Sequence, residues 1–522
     1  MELYTLTDII KNSAALFPDN EAFKCEDISV SYKELDIKTS QLAKCLIDLG
    51  VKKGDRVGIY LNRCIETAIA IYGILKAGAA YVPLDFTAPH TRTRSLINSC
   101  DIKVLVTSDK QKRKITSILD GSSSLIRIIG LSKRLPLMSV SWDAIYNTSL
   151  ANFKAVEIDK NDLAYIMFTS GSTGAPKGIM HTHYSGLNYA KMSADLYGII
   201  SNDRVANHAP INFDISTFGY FSAPLAGAST IIITDAYTKF PVSLAKLIEK
   251  ESLTIWYSVP LALIQILLSN VLDKVNLNSL RWVLFGGEVF GLKYLTKFIE
   301  KLPNAIFSNV YGPAEVNQCT YYNFNSLAQV NSQLPIGKVW NHTEFKILDK
   351  KDNEVTSGNK GALVIKSITM MKGYWDNIKL TQKSVYKELD AAGMEQIYYR
   401  TGDIVFENEN NDLVFVGRND RQRKIRGFRI DLDEIESVLL KHPSVKEASV
   451  LIIESENNLK ALYAVILLLP EATISTNELA SFCKTHLPVY SVPEHIEIFA
   501  TLPRTSSGKV NRNVLIDNLI KN

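Results

Sequence analysis

Apolar residues cluster in short continuous runs at residues 57–61, 103–107, 164–168, 230–234 and 282–285. Runs of this length predict strands buried on both faces, as in a parallel sheet. Between them lie amphipathic segments with helical spacing, such as 243–251. The alternation predicts an α/β architecture with buried sheets. After about residue 330 the pattern changes to short β-rich segments, among them 362–366 and 413–416, separated by Gly, Asn and Asp. Beyond Gly417, Arg418, Asn419 and Asp420 comes a basic stretch. It is followed by an amphipathic helix at about 433–441, with Ile435, Val438 and Leu439 on one face. A small α+β domain fits the last hundred or so residues, and its boundary is placed at Asp420.

Composition narrows the class. With 522 residues, 46% of them hydrophobic, the chain can bury a large core and form roughly three structural units. The net charge of +4 is small for this length. The densest basic run, 110–114, reads as a solvated face, and nucleic acid is not an expected partner. Six scattered cysteines without a C-x-x-C pair argue against a disulfide framework or a structural zinc site and fit reduced thiols in a cytoplasm. The N-terminus has no signal-peptide pattern. The most apolar stretches, 253–268 and 461–469, are shorter than the ~20 residues of a membrane span.

The most informative string runs from an apolar strand into Thr169, Ser170, Gly171, Ser172, Thr173 and Gly174, then Pro176 and Lys177. Glycines let backbone N–H groups approach a phosphate, hydroxyls add donors, and Lys177 adds a mobile positive charge. The loop is a polyphosphate cradle in chemical terms. It lacks the GK[ST] ending of a Walker A loop.

This string resembles the phosphate loop of the adenylate-forming superfamily, which includes acyl-CoA ligases, luciferases and nonribosomal peptide adenylation domains. Further segments resemble that family's motifs in order. They are residues 75–85; Phe213 to Ser216; Gly286, Gly287 and Glu288; Asn309 to Glu315; Tyr399 to Asp403; Gly417 to Asp420; and 502–509. The resemblance covers nearly the whole chain. It implies a large N-terminal domain, 1–420, of two αβ-layered sheet subdomains plus a small β-rich one. It also implies a small mobile α+β domain, 421–522, with Asp420 at the hinge.

The implied reaction joins two anions, a carboxylate and the α-phosphate of ATP, so cations must be placed in advance. The resemblance puts catalytic Lys509 between them, a compact point charge on a flexible stem. It assigns Mg2+ to Glu315, adenine stacking to Tyr311, nucleotide binding in the adenine and magnesium segments to Gly286, Gly287, Glu288, Asn309 and Gly312, and the ribose hydroxyls to Asp403 with Arg418 in support. Ala314 stands where the family usually has Thr. A modest loss is expected, since one neutral hydrogen bond is worth about 1 kcal/mol. Residues 361–375 also depart from the family pattern and are expected to be mainly structural.

Asp214 separates the subfamilies. In amino-acid-activating members this carboxylate pairs with the substrate ammonium, whereas aryl- and fatty-acid-activating members have no use for it. A buried charge needs a cationic partner. The plainer reading of Asp214 is a helix N-cap. By the same resemblance Asp214, Ile215, Phe218, Tyr257, Leu284, Gly286, Val310, Gln318, Cys319 and Lys509 line the pocket, which suits a small neutral amino acid. Tyr257, Leu284 and Cys319 together resemble free-standing prolyl-activating enzymes, so proline is the first expectation, then alanine or glycine. The chain ends soon after Lys509, which leads to the expectation of a free-standing enzyme serving the phosphopantetheine of a separate holo carrier protein in natural-product biosynthesis. The rival readings are an acyl- or aryl-CoA ligase of the same fold and a non-catalytic nucleotide-binding relative.

Overall fold

The computed structural model describes residues 2–121, 124–132, 138–151, 153–171, 176–328, 330, 333–454, 460–504 and 510–521. The chain forms two compact units: Met1–Phe86, Ile97–Met167 and Gly178–Asn419 make the first, and Thr87–Leu96, Phe168–Lys177 and Asp420–Asn522 the second.

Two large α/β sheets organise the first unit, as the apolar runs predict. One places Ile306–Tyr311, Trp282–Gly286, Ile255–Ser258, Arg204–Asn207, Ser229–Ile232 and Glu21–Cys25 side by side in parallel, with antiparallel strands at both edges. Trp282–Gly286 is buried at every position, the reason its sequence shows no polar alternation. The other sheet carries Leu163–Thr169, Ala80–Pro83, Arg56–Ile59 and Val104–Val106 in parallel. Helix Ile65–Lys76 is buried from Thr67 to Leu75 without a break, so it shows little amphipathicity. Stretch 253–268 is strand Ile255–Ser258 followed by helix Pro260–Leu268, with Pro260 in the first turn where its missing N–H is harmless. A third, antiparallel sheet holds Thr343–Leu348, Gly361–Ser367, Glu395–Glu407, Val385–Leu389 and Leu413–Arg418, the β-rich region expected after residue 330. In the basic run, Lys110, Arg113 and Lys114 are exposed. No helix among the described residues is long and apolar enough to cross a membrane.

In the second unit, strands Gln422–Ile425 and Phe428–Asp431 pair through a two-residue turn. Arg426 and Gly427 both have positive φ, 54° and 81°, the signature of a type I′ hairpin and the reason glycine sits there. Helix Leu432–Leu439 follows, capped by the Asp431 carboxylate, which accepts from the Asp433 amide. It buries Ile435, Val438 and Leu439, the face read from the sequence. Strands Val445–Glu454, Lys460–Leu468 and His495–Ile498 form a separate three-stranded sheet.

One ion pair fixes the ends of three parallel strands. Asp203, Thr254 and Arg281 are the residues immediately before Arg204–Asn207, Ile255–Ser258 and Trp282–Gly286. Arg281 grips Asp203 with two bonds, Nε to Oδ1 at 2.9 Å and Nη2 to Oδ2 at 2.6 Å. Thr254 Oγ1 donates to Asp203 Oδ1 at 2.7 Å, and the Ile200 amide to Oδ2 at 2.8 Å. Burial alone would raise the Asp203 pKa; the bonds from Arg281, Ile200 and Thr254 outweigh it and hold it below the usual value. Asp203 is 3% exposed and Arg281 36%. Arg281→Ala should therefore cost about 2–3 kcal/mol, the low end for a broken buried pair because the guanidinium is one-third exposed. Adding Asp203→Asn should recover part of that loss. Thermal unfolding of the single and double variants checks both outcomes.

Candidate active site

Ligands in open α/β sheets bind beyond the carboxyl ends of the strands. Here strand register brings the motif residues to that edge. Tyr257 pairs with Leu284, Gly286 with Val310, and Tyr311 with Thr320. A Cβ at Gly286 would lie 2.3 Å from the Val310 carbonyl and 3.6 Å from the Tyr257 hydroxyl, so backbone alone fits at that wall. Gly287 follows with φ 94°, and Glu288 is half-buried. The Asn309 amide donates to the Pro335 carbonyl at 2.7 Å. Gly312 packs against Asn317, whose carbonyl would lie 2.0 Å from a Cβ there.

Asp403 and Arg418 are direct cross-strand partners. Arg418 Nη1 donates to Asp403 Oδ1 at 2.5 Å, and the Tyr311 hydroxyl donates to Oδ2 at 2.5 Å. Both carboxylate oxygens thus have a charged or polar partner, and the Tyr311 ring plane is fixed by its own hydroxyl. Burial and the neighbouring Asp403 charge push the Tyr311 pKa well up, so it remains a neutral donor.

Glu315 is fully buried and its Oε1 accepts from the Tyr374 hydroxyl at 2.8 Å. A strap around 367–374 clamps its loop. The Met371 amide donates to the Glu315 carbonyl at 2.7 Å, Thr369 Oγ1 to the Val316 carbonyl at 2.7 Å, and Asn317 Nδ2 to the Thr369 carbonyl. Segment 361–375, expected to be mainly structural, holds the Glu315 carboxylate in place through Tyr374. His181 clamps the same loop from the other side. Its Nε2–H donates to the Ala314 carbonyl at 2.8 Å, which leaves Nδ1 to accept from Ser185 Oγ at 3.2 Å. Sequence reading missed His181 and Tyr374; each works across more than 50 residues of chain and belongs to no local pattern. Among the described residues no three His, Cys, Asp or Glu side chains cluster as a metal cage. A Glu315 carboxylate alone suits Mg2+, which keeps waters and phosphate oxygens and needs one or two carboxylates.

Asp214 precedes a helical segment that contains the π-turn Phe218–Ser222, a distortion common at functional sites. Its Oδ1 accepts from the Ile215 amide, and its carbonyl from the Thr217 amide and hydroxyl. Burial raises the pKa values of Tyr165, Tyr189 and Tyr257, and the Asp214 charge raises all three further, so the half-buried carboxylate lies within electrostatic reach of these rings. Phe218, Tyr257, Leu284, Val310, Gln318 and Cys319 are buried and Ile215 half-buried. Phe218 meets Tyr257 edge-on with ring centroids 5.5 Å apart.

The described part of the phosphate loop belongs to the second unit. There Ser170 Oγ donates to the Arg429 carbonyl at 2.6 Å, and Thr169 Oγ1 is buried with no partner among the described residues. Gly171 is buried, and Lys177 opens strand Lys177–Thr182. Ser172, Thr173, Gly174 and Lys509 lie outside the described residues. Asp420 Oδ1 accepts from the Gln422 amide at 3.1 Å.

Comparison with known proteins matches residues 10–375 to the AMP-binding enzymes and residues 434–509 to the AMP-binding enzyme C-terminal domain. The chain is 32% identical to an L-proline--[L-prolyl-carrier protein] ligase of Streptomyces coelicolor over 92% of this chain and 91% of that one. It is 31% identical to gramicidin S synthase 2 of Brevibacillus brevis over 98% of its own length, but spans 11% of that much longer protein. Its fold matches the adenylation domain AlmE of Vibrio cholerae, solved with glycyl-adenosine-5'-phosphate, at a TM-score of 0.86 and 23% identity, covering all of this chain and 99% of that one. The chain therefore belongs to the AMP-binding, adenylate-forming enzymes and is homologous to adenylation domains of the nonribosomal-peptide type. The chemistry of this superfamily is ATP-dependent adenylation, with ATP and Mg2+ in use.

Burial holds His181 neutral, its pKa pushed down to about 4 from 6.5, against the opposing pull of the Ala314 carbonyl and Glu315. Burial lowers His183 to about 4 as well. In the unfolded chain these rings bind protons near pH 6.5. Between that pH and about 4 the unfolded state holds more protons, so stability present at pH 7 is lost as pH falls. Replacing His181 with Gln, which keeps a donor toward Ala314, should flatten the fall by up to about 1.4 kcal/mol per pH unit. Unfolding midpoints of both proteins at pH 7, 6 and 5 check it.

Proposed function

We propose that this enzyme activates a small neutral amino acid as its aminoacyl-AMP with release of pyrophosphate, then transfers it to the phosphopantetheine thiol of a separate carrier protein. The observation that carries the reading is the half-buried Asp214 carboxylate, within electrostatic reach of buried Tyr165, Tyr189 and Tyr257, the last of which borders Gly286. A carboxylate partly withdrawn from water favours a cation beside it, and an amino acid brings one in its ammonium group. No other charged side chain stands among the pocket residues apart from Lys509. Proline is the first candidate, on the similarity to a prolyl-carrier-protein ligase and on the Tyr257, Leu284 and Cys319 combination. Alanine and glycine come next.

Each group has a role in this reading. Lys509 neutralises charge between carboxylate and α-phosphate, Lys177 and the Thr169–Gly174 loop hold the outer phosphates, and Glu315 holds Mg2+. Tyr311 presents its ring to adenine. Asp403, aligned by Arg418, accepts from the ribose hydroxyls. Asp420 serves as the hinge about which domain 421–522 turns between the two half-reactions. In the second of them the segment around Gly427 replaces Lys509. The bond between Ser170 and Arg429 supports this, since it ties the phosphate loop to the Gly427 hairpin within one unit.

Amino-acid-dependent ATP–pyrophosphate exchange, run across the proteinogenic amino acids with benzoate and a fatty acid, tests the reading. Exchange is expected with a small neutral amino acid; exchange with only the other carboxylates would instead favour a CoA ligase. Lys509→Ala should abolish exchange and leave ATP binding intact. Asp214→Ala should raise the amino-acid KM about 100-fold, the worth of a hydrogen-bonded charge, with little change in the KM for ATP. An unchanged amino-acid KM would refute the ammonium role.

A further inference from the structure

Within the pocket wall, Gln318 is 5% exposed and Tyr257 3%. Gln318 Nε2 donates to the Tyr257 hydroxyl, and Gln318 Oε1 is buried with no hydrogen-bond partner. Among the described residues the Tyr257 hydroxyl has no acceptor for its own proton. The amide can be turned by 180° without changing its shape. In that orientation the tyrosine donates to Oε1, leaving the amide N–H groups and a tyrosine lone pair unmatched. In either orientation the pair presents at least one donor and one acceptor. It does so 3.6 Å from where a Gly286 side chain would begin, at the wall where the chain keeps no Cβ. Buried polar atoms are rarely left unmatched, and a bound group that both donates and accepts would match these two.

We propose that Gln318 and Tyr257 together read a hydroxyl on the substrate side chain, so that a small hydroxylated amino acid, of the serine, threonine or hydroxyproline kind, is preferred over proline, alanine and glycine themselves. This rests on the reading of the enzyme as an amino-acid activator and names the side-chain chemistry of that same pocket. A hydroxyl supplies a donor and an acceptor from one atom. An ether or ketone accepts only, and an ammonium donates only. A carboxamide offers both but is bulkier, at a point where the Phe218 and Tyr257 rings already meet. The edge-to-face contact of those rings fixes the tyrosine, and the tyrosine fixes the amide. Gln318 is thus a specificity-determining residue, and its neutrality leaves the ammonium to Asp214.

The test is pyrophosphate exchange with isosteric pairs: serine against 2-aminobutyrate, threonine against valine, and 4-hydroxyproline against 4-methylproline, with asparagine and benzoate alongside. A site built to bond a hydroxyl rejects its apolar isostere strongly, because its own buried groups are then left unpaired. The hydroxylated member of the best pair should exceed its isostere by about 100-fold in kcat/KM. Gln318→Met should bring that ratio to within about threefold, chiefly through a higher KM for the hydroxylated member. Tyr257→Phe, which deletes one oxygen and keeps the ring contact, should lower the ratio by about tenfold and decides the matter if the methionine variant does not fold. Equal or better use of the apolar isosteres by the wild-type enzyme, or a preference for asparagine, would overturn this inference while leaving amino-acid activation standing. Exchange with benzoate and with no amino acid would overturn both.

Discussion

The grip of Arg281 on Asp203 sits at the opposite end of the sheet from the chemistry, yet the site depends on it. Three parallel strands begin at this cluster, and Thr254 joins it through its own hydroxyl. Parallel strands have slanted bonds and no hairpin to set their register, so a tie between their starting residues substitutes for one. Because the register is fixed there, Tyr257 arrives beside Leu284 and Gly286 beside Val310. A slip of one residue would turn each of these side chains to the other face.

At the carboxyl edge, polar groups hold one another before any ligand arrives. Arg418 orients Asp403, and Asp403 orients Tyr311. His181 and Tyr374 clamp the loop of Ala314 and Glu315 from two sides. Ala314 lacks the hydroxyl usual at its position, but its carbonyl anchors the His181 ring, so the residue still serves through its backbone. Such preorganisation lets a site meet developing charge without moving at the moment of reaction.

Much of this was legible in the chain, for physical reasons. Buried parallel strands show as apolar runs because both faces are covered, so 282–285 pointed to Trp282–Gly286. The helix after Asp420 was visible because Ile435, Val438 and Leu439 share one face. The phosphate loop was read from residue types that suit a phosphate cradle, whereas the roles expected of Asp403 and Arg418 came from family resemblance alone, since Thr-Gly-Asp by itself is only a turn. Clamps between distant segments were not legible. Asp203 lies 78 residues from Arg281, and His181 lies 133 from Ala314. Nothing nearby in sequence marks either, because a lone His or Arg reads as surface or core until the fold supplies its partner. The helix Ile65–Lys76 hides its period for the opposite reason, being covered on all sides. Asp214 fell between: its type suggested a charge partner or a cap, and in the fold it accepts from the Ile215 amide with three buried tyrosines within electrostatic reach.

The central claim is that Asp214 selects an ammonium-bearing acid. The direct measurement is calorimetric binding of a non-hydrolysable aminoacyl sulfamoyl adenosine, compared with its counterpart lacking the amino group. Tighter binding of the amino form by about 10- to 100-fold, lost in Asp214→Asn, is the result this account predicts. Equal affinity of the two compounds for the wild-type enzyme would contradict it.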